Sequence, residues 1–234
     1  MKNLTLIIPA KHEKDSLPIF LSELSFYNCN KIIISDFNDV ETINEAKKFN
    51  DVKVLIQKDS GYGSAIREGI KSVDTEYFCI INADGSMDPS YLKNMLKHVQ
   101  DKNLDFLFAS RYEFPGGGSE DDNFVTYFGN FFFTFIGKFF FTLNITDILY
   151  TYVLGKTLSF NSLKLTSKDF TLCVEFPIKV SGNNFKYSTT PSFERKRIGG
   201  KKKVNALKDG ALILLLLIKL YIEKISIKSN EKKK

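Results

Sequence analysis

Five short apolar runs dominate the first half of the chain: Leu4–Ile8, Lys31–Ser35, Val52–Ile56, Tyr77–Ile81 and Asp105–Ser110. Between them lie Leu17–Phe26, Val40–Phe49, Gly61–Ser72 and Pro89–Gln100, where apolar residues recur at helical spacing. The runs are too short for core helices and too uniformly apolar for strands with one wet face, so they read as strands buried on both faces. Strands and helices alternating in units of roughly 20–30 residues imply a parallel sheet with crossover helices. The expected class is therefore α/β, with a mostly parallel central sheet flanked by helices.

After Arg111 the pattern changes. A loop, Pro115-Gly116-Gly117-Gly118-Ser119-Glu120-Asp121-Asp122, precedes a Phe-rich segment from Phe124 to Leu143. A mixed region follows to Ser188, in which Phe176–Val180 is either helical or extended. Then come a basic loop, Glu194–Lys203, an apolar stretch, Ala206–Ile225, read as a helix, and a charged tail, Ser226–Lys234, expected to be disordered.

The net charge of +6 lies largely in Lys201–Lys203 and the tail. Such charge suits an anionic membrane surface as readily as nucleic acid, but no aromatic platform or fold signature supports nucleic-acid binding. Cys29, Cys79 and Cys173 are isolated and odd in number, which fits reduced core cysteines of a cytoplasmic protein. Met1-Lys2-Asn3 runs straight into Leu4–Ile8, so no signal peptide is expected. No segment holds about 18 uninterrupted apolar residues. Phe131–Phe133, Phe135 and Phe139–Phe141 wrap too far around a helix to form one stripe, and Ala211–Ile218 is equally apolar beside Lys208, Lys219 and Lys224. Both segments suit core packing or a membrane interface, and the lysines favour the interface.

The chemistry concentrates where the fourth run ends, in Asn82-Ala83-Asp84-Gly85-Ser86-Met87-Asp88-Pro89. A carboxylate at the carboxyl end of a buried strand sits where open α/β sheets hold their ligands. Asn82, Asp84 and Ser86 alternate, so the turn can offer three oxygens to one hard cation. Magnesium or manganese would complete its shell with waters and a diphosphate. Zinc is disfavoured, because only His12 and His98 exist and neither lies near a cysteine cluster. Asp36 follows the second strand on the same edge, as a hydrogen-bond acceptor for a ribose or a base, or else as a helix cap. Gly61-Tyr62-Gly63-Ser64-Ala65 opens a helix, where glycines let a backbone approach a nucleotide phosphate. Arg195, Lys196, Arg197 and Lys201–Lys203 surround Gly199-Gly200, a basic loop suited to closing over a diphosphate leaving group.

Taken in order, these pieces resemble glycosyltransferase family 2, the inverting enzymes of GT-A fold, in particular its dolichyl- or polyprenyl-phosphate mannosyl- or glucosyltransferase branch. Leu6-Ile7-Ile8-Pro9-Ala10-Lys11-His12-Glu13 is similar to the family's opening strand and turn, and Asp36 falls at the second Asp of its Asp-Asp-Gly-Ser segment. Gly61 to Ala65 matches Gly-x-Gly-x-Ala, and Asn82 to Pro89 matches the metal motif Asp-Ala-Asp-Gly-Ser-x-Asp-Pro. Ser110-Arg111-Tyr112, Gly116-Gly117-Gly118, Thr146-Asp147, Glu175 and Arg197-x-x-Gly200-x-Lys202-Lys203 match further elements. The chain departs from the pattern at Asn82, which stands for the first metal-motif Asp. It departs again at Phe37-Asn38 in place of Gly-Ser, and at Thr126 and Tyr127 where an Arg pair is common.

The resemblance implies a nucleotide-diphospho-sugar donor, UDP- or GDP-linked, contacted by Pro9, Ala10, Glu13, Asp36, Gly61, Gly63, Asn82 and Lys203. It implies Mg2+ or Mn2+ on Asn82, Asp84 and Ser86, with Asp84 and Arg197 acting on the departing diphosphate. Arg111 and Thr146 would contact the acceptor, a polyprenyl phosphate; for a hydroxyl acceptor Asp147 would be the general base. The implied layout is a transferase domain over 1–205, with a donor half (1–112) and an acceptor half (113–205). A membrane-associated helix over 206–225 and a tail over 226–234 follow, on a protein peripheral to the cytoplasmic membrane face. Competing readings are a non-catalytic nucleotide-sugar-binding scaffold, suggested by Asn82, and a sugar-phosphate nucleotidyltransferase, which would carry a glycine-rich basic loop after the first strand.

Overall fold

The computed structural model describes residues 1–199 and 205–231. Its centre is a seven-stranded sheet in the order β3-β2-β1-β4-β7-β5-β8. The strands are β1 (Leu4–Pro9), β2 (Asn30–Ser35), β3 (Val52–Ile56), β4 (Tyr77–Ile80), β5 (Phe106–Ser110), β7 (Val153–Lys156) and β8 (Tyr187–Pro191). A second, two-stranded sheet pairs β6 (Gly118–Ser119) with β9 (Phe193–Glu194). All neighbours in the large sheet are parallel except those of β7, which runs antiparallel to both β4 and β5. The helices are α1 (Leu17–Leu24), α2 (Val40–Ala46), α3 (Tyr62–Lys71), α4 (Leu92–Asp101), α5 (Phe124–Phe141), α6 (Thr157–Ser162), α7 (Leu172–Gly182) and α8 (Ala206–Glu231).

Period-two alternation along the buried strands builds a core on each face of the sheet. Ile7, Ile32, Ile34, Phe78 and Ile80 point to one side, where α3, α5, α6, α7 and α8 pack. Leu4, Leu6, Ile8, Ile33, Cys79 and Ile81 point to the other, against α1 and α4.

Several expectations are corrected. The helix read over Pro89–Gln100 starts as a 3₁₀ turn at Pro89–Tyr91, because Asp88 accepts the Ser90 amide and Pro89 supplies no donor. Phe176–Val180 lies in α7, with Pro177 inside the helix. β7 inserts between β4 and β5, so residues of 1–112 and 113–205 share one sheet and the cores on both its faces. α8 continues past Ile225 to Glu231, through part of the tail expected to be disordered.

β2 and β3 extend to one side of β1 and β4 starts the other, so the order reverses between β1 and β4. A crevice forms outside the carboxyl ends of strands at such a switch point. Pro9 and Ala10 leave β1 on one side of it, and Asn82 to Ser86 leave β4 on the other.

Candidate active site

The turn after β4 is held by its own side chains. Asp84 Oδ1 accepts from the Ser86 amide at 3.1 Å and the Ser86 hydroxyl at 2.8 Å. Gly85 sits at φ +73°, a left-handed conformation that costs glycine little. A side chain there would also collide with Ile198, whose Cδ1 lies 2.4 Å from the place of a Cβ. The collision arises because residues 193–198 lie over the turn as a strap. The Arg195 amide donates to Ser86 O and the Ile198 amide to Asp84 O, both at 2.8 Å. Glu194 bridges to Met87. The Arg195 guanidinium is committed to Gly85 O and to both carboxylate oxygens of Glu23. The part of the basic loop that is described is therefore tied down. Lys203, expected to contact the donor, lies outside the described residues with Gly200, Lys201 and Lys202.

Arg197 joins two carboxylates. It donates to Asp121 at 3.1 and 2.6 Å, and its Nη1 lies 3.5 Å from Asp84 Oδ2. The Asp121 hydrogen bond, partial burial and the Asp84 charge act on its pKa in that order; only burial lowers it, and the net shift is upward. Asn82 Oδ1 accepts from the Tyr62 hydroxyl at 2.9 Å, which also shares a 2.6 Å bond with Thr151. Burial raises the Tyr62 pKa further, so the phenol stays a neutral donor.

These oxygens fit a hard divalent ion only as part of a shell. Asp84 brings the single negative charge, and its Oδ2 makes only the long Arg197 contact among the described residues. Asn82 Oδ1 has one lone pair left, and the Ser86 hydroxyl can still offer its own. No group of three His, Cys, Asp or Glu gathers anywhere among the described residues. The remaining ligands would come from water and a diphosphate.

The other donor-side residues line the same edge. The Ala10 amide bonds Ile34 O at 2.9 Å beyond the end of β1. Glu13 is buried; it accepts from the Ser16 hydroxyl at 2.5 Å, and its amide donates to Thr42. Asp36 Oδ1 accepts from the Asn38 amide and side chain. Asp39, not Asp36, caps α2, through the Thr42 amide.

The space beside Gly61 and Gly63 is filled by the chain itself. A Cβ on Gly61 would stand 2.2 Å from Lys168 O, and one on Gly63 2.7 Å from Ser167 O. The chain's own segment 167–169 makes the close approach, and Lys168 O takes the Ser64 amide at the start of α3. Glu175, on α7, fixes that segment by accepting the amides of Thr166 and Ser167 and an ion pair from Lys179 at 2.8 Å. Burial, the largest effect, pushes the Glu175 pKa up, but Lys179 and the two amides together pull it below the usual carboxylate value. A depressed folded-state pKa gives stability that is present above the unfolded pKa and lost as pH falls through the folded one. Glu175→Gln is expected to cost about 2 kcal/mol at neutral pH and to flatten the loss of stability below about pH 4.3. Urea midpoints measured across pH check both effects.

On the acceptor side, Arg111 and Asp147 consume each other. Nε and Nη2 of Arg111 donate to Asp147 at 2.7 and 2.9 Å, and its amide donates at 3.1 Å. Nη1 goes to Glu194 at 3.1 Å, and Glu194 also takes the Ser119 hydroxyl at 2.5 Å. Both side chains are nearly buried, at 11% and 0% exposure. The guanidinium lies 4.7 Å from the Tyr150 ring centroid. Burial alone would lower the Arg111 pKa; Asp147 and then Glu194 reverse the sign and keep it charged. Asp147 is thus not an unengaged base and Arg111 not an unengaged phosphate clamp. Thr146 donates to the Ser110 hydroxyl at 2.7 Å. Thr126 and Tyr127, at the place of the family's Arg pair, serve the fold: Thr126 closes a capping box with Asn123, and Tyr127 packs on Tyr112.

Glu194, Asp121 and Tyr62 escaped the sequence reading as site residues. Glu194 and Asp121 stand in a two-residue strand and a loop with no periodic signal, and Tyr62 stood inside a motif read for its glycines. An open depression of about 620 Å³ lined by Lys2, Phe26, Tyr27, Lys31 and Asp51 lies at the opposite, amino edge of the sheet.

A profile described as Glycosyl transferase family 2 matches residues 5–163. An uncharacterized glycosyltransferase of Mycobacterium tuberculosis is 27% identical over 112 residues, 48% of this chain and 50% of that protein. The chain thus spans about half the length of that curated relative. Glycosyltransferase AglJ of Haloferax volcanii is 22% identical over 215 residues, covering 91% of this chain and 70% of that one. Among solved structures, glucosyl-3-phosphoglycerate synthase from M. tuberculosis with Mn2+, uridine diphosphate and glucosyl-3-phosphoglycerate superposes at TM-score 0.72 and 8% identity, over 94% of this chain and 80% of that one. The same synthase with Mg2+ and uridine diphosphate gives 0.67. At these identities the superpositions show the GT-A fold, and the family profile covers most of the chain: the chain belongs to glycosyltransferase family 2.

Proposed function

We propose that the chain transfers a hexose from a UDP- or GDP-linked donor to a polyprenyl phosphate, with inversion, at the cytoplasmic face of a membrane. One observation carries the reading: the Asn82-Ala83-Asp84-Gly85-Ser86 turn lies at the switch point of the sheet, with Arg197 held 3.5 Å from Asp84. Asn82, Asp84 and Ser86 would hold Mg2+ or Mn2+, which when bound supplies positive charge to the departing diphosphate. Ser86 occupies Asp84 Oδ1 and leaves Oδ2 to the Arg197 contact. Arg197 lies 3.5 Å from that oxygen, and a diphosphate arriving there would compete with Asp84 and Asp121 for it. Gly85 and the strap bonds shield the turn from water on one side.

Engagement of Asp147 by Arg111 favours an acceptor that arrives ionised. A phosphate needs no base at neutral pH, whereas a hydroxyl does. A phosphate reaches Arg111 by replacing Asp147 or Glu194 on the guanidinium. The synthase that shares the fold was crystallised with phosphoglyceric acid, which supports a phosphate-bearing acceptor here.

The membrane part rests on α5 and α8. They run alongside each other in the same direction: Phe133 lies by Gly210, and Phe140 by Tyr221. Their outer faces expose Phe128, Phe131, Phe135 and Phe139, and Leu215, Ile218, Ile222 and Ile225. Such a continuous apolar area, with Lys138 and Lys219 beside it, fits insertion into an anionic interface. Deleting α8 would open the core, because Ile213, Leu217 and Leu220 are buried in it; point changes are the cleaner test. Phe135→Glu with Ile218→Glu is expected to weaken binding to phosphatidylglycerol vesicles by at least about tenfold, as each apolar side chain contributes about 1.5–3 kcal/mol. Co-sedimentation equal to wild type removes the membrane claim.

The transfer assay uses UDP-glucose and GDP-mannose with polyprenyl phosphate in vesicles and reads the anomeric configuration of the product. The expected result is one productive donor, with inversion. No transfer from either overturns the reading and favours a nucleotide-sugar-binding scaffold, in which Tyr62 on Asn82 and Arg197 by Asp84 are resting contacts.

A further inference from the structure

Helix α5 is long and apolar enough to cross a membrane by length and composition. Its inner side rules that out as a mode for this fold. Asn130, Phe133, Thr134, Gly137 and Phe141 form one buried stripe against the core, at the i, i+3, i+4, i+7 spacing of an amphipathic helix. Two members of that stripe are polar, and each has a task. Asn130 Oδ1 accepts the Leu149 amide at 3.0 Å, and Thr134 Oγ1 accepts the Ile148 amide at 3.2 Å. Asn130 and Thr134 are only 2% and 7% exposed. Gly137, one turn on, lets Leu143 and Ile148 close in: a Cβ there would stand 2.9 Å from Leu143 and 3.0 Å from Ile148.

The segment so held carries Thr146 and Asp147. Asp147 grips Arg111, and Arg111 grips Glu194, whose strand lies against the donor turn. No regular secondary structure supports residues 143–149, so their position depends on tertiary bonds such as these two. One face of α5 therefore meets solvent with phenylalanines while the opposite face fixes the acceptor-side ion pair.

We infer that α5 is a strut between the lipid interface and the acceptor side, with Asn130 and Thr134 as positioning residues for the Asp147–Arg111 pair. The inference rests on the membrane and acceptor reading above. The strut holds Arg111 at a fixed height relative to the interface, where the phosphate of a lipid-linked acceptor would stand. Loss of either acceptor atom leaves a buried amide unpaired and frees the Asp147 segment, with no change at Asp84 or Arg197.

The test compares Thr134→Val, which keeps the shape and removes the hydroxyl, with Thr134→Ser, which keeps the hydroxyl, in the full chain. Amide hydrogen exchange is read at Ile148 and Leu149. KM is read separately for the nucleotide-sugar the wild type uses and for polyprenyl phosphate in phosphatidylglycerol vesicles. In Thr134→Val, exchange at Ile148 is expected to rise about tenfold, the effect of one lost buried hydrogen bond. Polyprenyl phosphate KM rises with it, donor KM stays, and Thr134→Ser restores both. Wild-type exchange in Thr134→Val, or donor and acceptor KM moving together, overturns the inference. If the wild type transfers nothing to polyprenyl phosphate, the functional reading fails; the exchange result then decides only whether Thr134 holds the segment.

Discussion

Replacing Asp84 with Ala is expected to lower turnover by about a thousandfold, the loss of several kcal/mol of charge stabilisation on the leaving diphosphate. Asp84 follows β4 at the switch point with Oδ2 only 3.5 Å from Arg197, and Asn82 adds no negative charge beside it. Ala also removes the acceptor of both Ser86 bonds, 3.1 and 2.8 Å long, so part of any effect would be a loosened turn. Asp84→Asn separates the two contributions. It keeps a carbonyl oxygen for Ser86 and removes the charge, so its stability should stay within about 1 kcal/mol of wild type while its turnover falls nearly as far as in the Ala variant. Steady-state kinetics with urea melts of both variants checks this. Asp84→Asn at wild-type rate would mean the carboxylate serves only the turn.

Asp147→Ala is expected to be the most destabilising single change, at about 3–5 kcal/mol, the typical effect of leaving a buried charge without its partner. It strips three donors, the Arg111 amide, Nε and Nη2, of their acceptor. Glu194 then holds Arg111 alone, from the other side. Removing all three charges, with Asp147→Leu, Arg111→Met and Glu194→Gln, should cost less than Asp147→Ala alone, because no charge is stranded. Urea midpoints at unchanged m-value measure the difference. A cost under about 1 kcal/mol in the single variant would show that Arg111 re-pairs or reaches water, and the ion pair would not be the anchor described above.

The fold was legible where residues alone dictate local structure. β1, β2, β4 and β5 are short apolar runs closed by Pro9, Asp36, Asn82 or Arg111, and burial on both faces leaves few alternatives for such runs; β3 is instead a half-buried edge strand with Ile56 exposed. β7 and β8 gave no such signal. Val153–Lys156 is four residues long and includes Gly155, which gives way to the Phe106 ring. Tyr187–Pro191 is a half-buried edge strand of Ser and Thr with no alternation to read. The site divides the same way. The Asp84 turn could be read because a strand end and its acidic turn are neighbours in sequence. The tie between Arg111 and Asp147 spans 36 residues and the one between Arg197 and Asp121 spans 76, so only folding shows that these charges are spent on each other. The glycines at 61 and 63 were visible, but the close passage of residues 167–169 beside them comes from far along the chain.

The most direct test of the central claim is a thermal-shift titration of wild type and Asp84→Asn with UDP- and GDP-sugars, each with and without Mn2+. Wild type should be stabilised by one nucleotide class and more strongly with the metal, by about 2.7 kcal/mol at a hundredfold excess over Kd, and Asp84→Asn should lose the metal-dependent part. No shift in wild type, or an equal metal-dependent shift in Asp84→Asn, would contradict a donor and metal site built on Asp84.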